Sequence, residues 1–157
     1  MATLPGIDEK LIRLNPDWTV ENAGSTPLEQ NLSISDFKGK RLVITLPGAG
    51  GFCNKELDMI KENMKRLKDA GADEVIVVVG SDILTNAGRG LPNLLQDPDL
   101  AFAKANKLNL EGVRSRYLNR AILAVDADGN QLGREDAPLL GCRTIDGLVA
   151  AAQKAFA

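Results

Sequence analysis

Histidine is absent from this 157-residue chain. Its absence removes Cys–His and Ser–His–Asp catalysis, which need an imidazole to take the proton. The two cysteines, Cys53 and Cys142, are then the only soft metal ligands, and no zinc or copper site is expected. There is no Cys-x-x-Cys either, because Glu56 stands three places after Cys53, so a thiol–disulfide oxidoreductase is the weaker class. No basic stripe exists: Lys and Arg are interleaved with Asp and Glu, and the net charge is -2. That disfavours nucleic acid as a partner. No apolar run approaches the ~18 residues needed to span a bilayer, and "MATLPGIDEKL" lacks the charged and apolar regions of a secretion signal. The expectation is a protein of a reducing, cytoplasmic compartment without membrane partners. Internal repeats, low-complexity tracts and linkers are missing as well, and 44% hydrophobic content suits one domain over 1–157 that needs no disulfide scaffold.

What is present has a readable period. Residues 1–31, rich in Pro, Gly and Asn, suggest a strand or two wrapped in loops. "RLVIT" is a continuous apolar run after a Lys-Gly-Lys turn, as a buried strand should be. From Cys53 the spacing changes: Leu57, Ile60, Met64 and Leu67 recur every three or four residues, and Gly71 closes the run. This predicts one amphipathic helix of about five turns. "EVIVVVGSD" reads as a central strand apolar on both faces. "ILTNAGRGLPN" suggests a short helix or loop, "NLLQD" a strand, and Asp97-Pro98 the start of another helix. "RAILAVDADGNQLGRE" predicts a hairpin turning at Asp128-Gly129, and Thr144 caps a closing helix. Parallel strands joined by helical crossovers, then an antiparallel pair, form the layout of an α/β thioredoxin fold, a mixed sheet with helices on both faces.

"TLPGAGGFCNKEL" puts Cys53 at the mouth of the first long helix, behind four small residues. Unpartnered N–H groups and the positive end of the helix dipole favour a thiolate there. Gly48, Ala49, Gly50 and Gly51 let a small substrate approach the backbone. Position alone fits two uses equally: a reactive nucleophile, or a buried inert thiol in a turn that needs glycine for its own geometry.

"FKGKRLVITLPGAGGFCNKEL", "VIVVVGSD", "LLQDPDLAFAKA" and "RYLNRAILAVDADGN" together resemble the peroxiredoxin 5 (type II) group of the peroxiredoxins, over about Leu32 to Cys142. The resemblance implies a thioredoxin fold and a thiol-dependent peroxidase acting on hydrogen peroxide or alkyl hydroperoxides. It needs no cofactor, is re-reduced by thioredoxin, glutaredoxin or glutathione, and forms a homodimer. Pro47 matches the family's loop proline, Cys53 its peroxidatic cysteine, and Arg120 its arginine, with Arg114 and Arg116 the alternatives in another register. Gly50, Gly51 and Phe52 would line the substrate position. Cys142 matches a resolving cysteine, the other reading being an inert thiol under the last helix. For an isolated arginine at a strand end, the ordinary expectation is a head group in water. The sequence also departs from the family: five residues, "GAGGF", separate Pro47 from Cys53 where the pattern has six, and none is Thr or Ser. Thr45 carries a hydroxyl, but before the proline, and receives no catalytic role from the sequence. Losing one such donor costs about 10²–10³ in rate. The shortened loop leaves a second function open, a peroxidase-impaired binding or redox-regulatory module on the same fold.

Overall fold

The structure, a computed structural model, describes residues 2–17, 29–47, 51–80, 90–108, 120–137 and 144–157, with backbone alone at 29–30, 51–54 and 137. The apolar run after the Lys-Gly-Lys turn becomes strand β3 (Leu42–Leu46), and Gly39 supplies the positive φ of 97° that the turn requires. Alternate residues of β3 go to opposite layers. Leu42, Ile44 and Leu46 join one apolar cluster, with Phe102 and Ile34, and Val43 joins the other, with Leu57 and Ile60. A strand buried on both faces belongs in the middle of a sheet, and β3 lies between β4 (Glu74–Val79), parallel to it, and β6 (Arg120–Val125), antiparallel.

Among the described residues seven strands form this sheet, in the order β2-β1-β5-β4-β3-β6-β7. β1 is Leu11–Arg13, β2 Glu29–Leu32, β5 Leu94–Gln96 and β7 Gln131–Ala137. The hairpin of β6 and β7 turns where the sequence placed it, with Gly129 at φ 87° and the Asp126 carboxylate accepting the N–H groups of Asp128 and Asn130. Helices α1 (Gly51–Glu62), α2 (Met64–Asp69) and α4 (Ile145–Phe156) supply apolar side chains to the layer of Val43, and α3 (Ala101–Ala105) covers the other. Thr144 caps α4, its Oγ1 accepting the Gly147 N–H at 3.1 Å. This arrangement is a thioredoxin fold.

Two helices differ from expectation. The five-turn helix is broken at Asn63 (φ -123°, ψ 20°), whose Nδ2 donates to the Met59 carbonyl at 2.9 Å, so α1 and α2 are separate pieces. Leu57, Ile60 and Leu67 remain fully buried across the break, which preserves the apolar stripe that suggested one helix. The helix expected from Asp97 begins instead with a 3₁₀ turn, Pro98–Leu100, and α3 follows only after left-handed Asp99 and Leu100 (φ 55° and 56°). Asp97 still caps it, its two carboxylate oxygens accepting the Phe102 and Ala103 N–H groups at 3.0 and 2.9 Å. Burial pushes this carboxyl above its ordinary range, and those two N–H groups pull against the shift.

Gly71, after α2, adopts φ 133°, and a Cβ there would lie 2.9 Å from the Cβ of Phe156. Gly71→Ala is expected to cost about 1–3 kcal/mol from backbone conformation alone. Urea unfolding reads this directly, and an unchanged midpoint would mean that the turn and Phe156 relax together.

Candidate functional site

Strand β3 ends at Leu46, Pro47 follows it buried, and α1 begins at Gly51. The last β3–β6 pair is Leu46 with Ala121, so Arg120, the first residue of β6, stands at that same end of the sheet. The end of β3, the start of β6 and the first turn of α1 therefore meet beyond the carboxyl ends of the parallel strands, where open α/β sheets place their ligands. Cys53 is the third residue of α1, in the turn whose N–H groups have no intrahelical partner.

Parity decides where Arg120 points. Ile122, two residues on, belongs to the layer beneath α1, and Arg120 shares that face. Its side chain is fully buried, ahead of Phe102 in volume among the described residues, and Nη1 donates to Glu56 Oε1 at 3.3 Å. Glu56 is equally buried, at 0% exposure, and lies one helical turn after Cys53. The ordinary expectation of an arginine head in water is thus overturned: α1 closes over the guanidinium, and a carboxylate from α1 meets it there.

Such a pair is costly. Removing each ion from water carries a penalty of several kcal/mol, and apolar residues of similar volume often stabilise a core as well or better. Stability alone does not account for a charged pair in a layer otherwise built of Val43, Val77, Leu57 and Ile60. Chemically, the guanidinium offers a planar fork of donors against α1 at Glu56, and the carboxylate holds that fork in one orientation.

Glu56 is the residue that sequence reasoning missed. It was read only as the absence of a second cysteine, yet it falls on the stripe of Leu57 and Ile60, where a carboxylate needs a buried cation. The structure brings Pro47 and Arg120 to one end of the sheet and places Gly51, Phe52 and Cys53 in the first turn of α1 by backbone. Gly48, Ala49, Gly50, Arg114, Arg116 and Cys142, and the segment 81–89, lie outside the described residues. Among the described residues no group of three or more His, Cys, Asp or Glu gathers to hold a metal, and no helix is long and apolar enough to cross a membrane.

The fold and this strand–loop–helix corner define a thioredoxin-fold protein with a buried charged pair beside a helix-mouth cysteine. Residues 15–138 match the Redoxin family, and the chain belongs to it. Three solved structures show the same fold. A Burkholderia cenocepacia protein provisionally described as a thioredoxin reductase has a TM-score of 0.72 and 22% identity, over 95% of this chain and 94% of its own. Reduced Prx3 from Vibrio vulnificus, solved in complex with hydrogen peroxide, has a TM-score of 0.68 and 20% identity, over 96% of each chain. Enterococcus faecalis AhpC has a TM-score of 0.67 and 18% identity, over 98% of this chain and 92% of its own. No curated protein matches by sequence.

Proposed function

We propose that this redoxin is a thiol-dependent peroxidase of the peroxiredoxin 5 (type II) group, with Cys53 as its nucleophile. The observation that carries the reading is the buried Arg120–Glu56 pair, one helical turn from Cys53 at the helix mouth. In the proposed step the Cys53 thiolate attacks one oxygen of hydrogen peroxide or an alkyl hydroperoxide. An S–O bond forms, the O–O bond breaks, and the leaving oxygen takes a proton to depart as water or alcohol. The sulfur loses two electrons and becomes a sulfenic acid. Arg120 stabilises charge on the sulfur and on the leaving oxygen, while Pro47 and the backbone at Gly50, Gly51 and Phe52 shape the approach. Cys142 then condenses with the sulfenic acid, releasing water and forming a disulfide, which thioredoxin, glutaredoxin or glutathione reduces. One domain over 1–157, cytoplasmic and paired as a homodimer, belongs to the same reading. Leu14 and Leu148, from opposite ends of the chain, share one apolar cluster, which supports the single domain.

The test is mass spectrometry of the reduced protein after a brief exposure to peroxide. Cys53 is expected to gain one oxygen, or to appear in a disulfide with Cys142, and Cys53→Ser to show neither. A Cys53 that stays a thiol for minutes, while an active peroxiredoxin beside it is oxidised at once, refutes the peroxidase and leaves the redox-regulatory module.

A further inference from the structure

Among the described residues the buried charged side chains are Asp97, which caps α3 in the other layer, and the pair of Glu56 and Arg120. The other charges of α1, Lys55, Asp58, Lys61 and Glu62, are exposed, as are those of α2 and α4, and water screens them. Strand β3 carries no charge. Strand β4 carries only Glu74, at its opposite end, where Lys40 meets it at 3.5 Å. Around the first turn of α1, the elements packed together thus supply one buried cation and one buried anion. Glu56 follows Cys53 by three residues, so the Cβ atoms of the two positions lie about 5–6 Å apart. Helical Cα–Cβ bonds tilt toward the N-terminus, and the side chain of Glu56 leans over the turn that carries Cys53.

We propose that Glu56 is a charge-compensating residue: it cancels at Cys53 the field of Arg120, and leaves the acidity of the thiol to the N–H groups of the helix mouth. A lone buried guanidinium near that turn would favour the thiolate strongly. With Glu56 3.3 Å from Nη1, position 53 faces two opposite unit charges close together, and their fields largely cancel. The compensation has a chemical use. A thiolate loses nucleophilicity as its pKa falls, and a thiol attacks best when its pKa lies near the ambient pH. The guanidinium can then give direction to a reaction without making the thiolate too stable to attack. This inference rests on the peroxidase reading for its use in catalysis, but not for the effect of Glu56 on the Cys53 thiol.

The experiment follows the pH profile of Cys53 alkylation by iodoacetamide, read by peptide mass in the full-length reduced protein. Glu56→Gln keeps the length of the side chain and an oxygen for Nη1 but removes the charge, and its profile is expected to move to lower pH by about one unit or more. Glu56→Asp restores the charge and should return the profile toward wild type. The double variant Glu56→Leu with Arg120→Met removes both charges together, and its profile should stay within about half a unit of wild type. A Glu56→Gln profile that stays in place or moves to higher pH overturns the proposal. So does a Glu56→Asp shift as large as that of Glu56→Gln, since lost shape then explains both. Should the single variants fold poorly, the charge-free double decides alone: a profile displaced beyond that half unit overturns the compensation, and one inside it supports it. If wild-type Cys53 ignores peroxide, the peroxidase reading falls, while the alkylation profiles still decide the role of Glu56.

Discussion

Glu56→Ala is expected to lower the free energy of unfolding by about 3–5 kcal/mol, because truncating one member of a buried pair strands the charge of the other. Arg120 is fully buried with Glu56 3.3 Å from its Nη1, and water cannot replace the carboxylate without opening the layer under α1. The double variant Glu56→Leu with Arg120→Met should recover most of the loss, since neither buried charge then remains. Urea unfolding of the two single variants and the double gives the coupling between the positions. Simple additivity would show that the pair does not act as a unit. The double variant also separates stability from chemistry: it should be well folded and unable to reduce peroxide.

The layers of this fold were legible because burial writes directly into composition. "RLVIT" and "EVIVVV" have no polar face, so strands buried on both sides, and hence central in the sheet, were the natural reading. The break at Asn63 was hidden because Ile60, Met64 and Leu67 keep the same stripe on either side of it. Leu100 hid the second break: a left-handed leucine gives no sign of itself in sequence, as a glycine there would have. At the site, the motif singled out Arg120 but gave no sign of its burial. That burial depends on α1 folding over the start of β6, a contact between residues 64 positions apart. Glu56 left a trace that helical spacing alone reveals, a carboxylate beside Leu57 on the buried face of α1.

Arg120→Lys should slow the oxidation of Cys53 by peroxide about 10²–10³-fold while leaving the protein folded. Lysine keeps the positive charge, so Glu56 retains a counter-ion and the penalty of a stranded carboxylate does not arise. What lysine lacks is the rigid planar fork. In the proposed reaction Glu56 holds Arg120 at 3.3 Å through Nη1, which fixes the direction of the guanidinium fork as charge leaves the sulfur and gathers on the departing oxygen. An ammonium on a flexible stem cannot hold both directions at once. Its field at Cys53 is nevertheless similar in sign and distance, so alkylation of the thiolate by iodoacetamide, which has no O–O bond to align, should change far less than the peroxide rate. Measuring both rates on one preparation divides the role of Arg120 into charge and direction. Equal losses in the two would reduce it to charge alone. A peroxide rate within about threefold of wild type would mean that the fork is not part of the reaction, and the shortened loop would then have to align the peroxide through backbone N–H groups by itself.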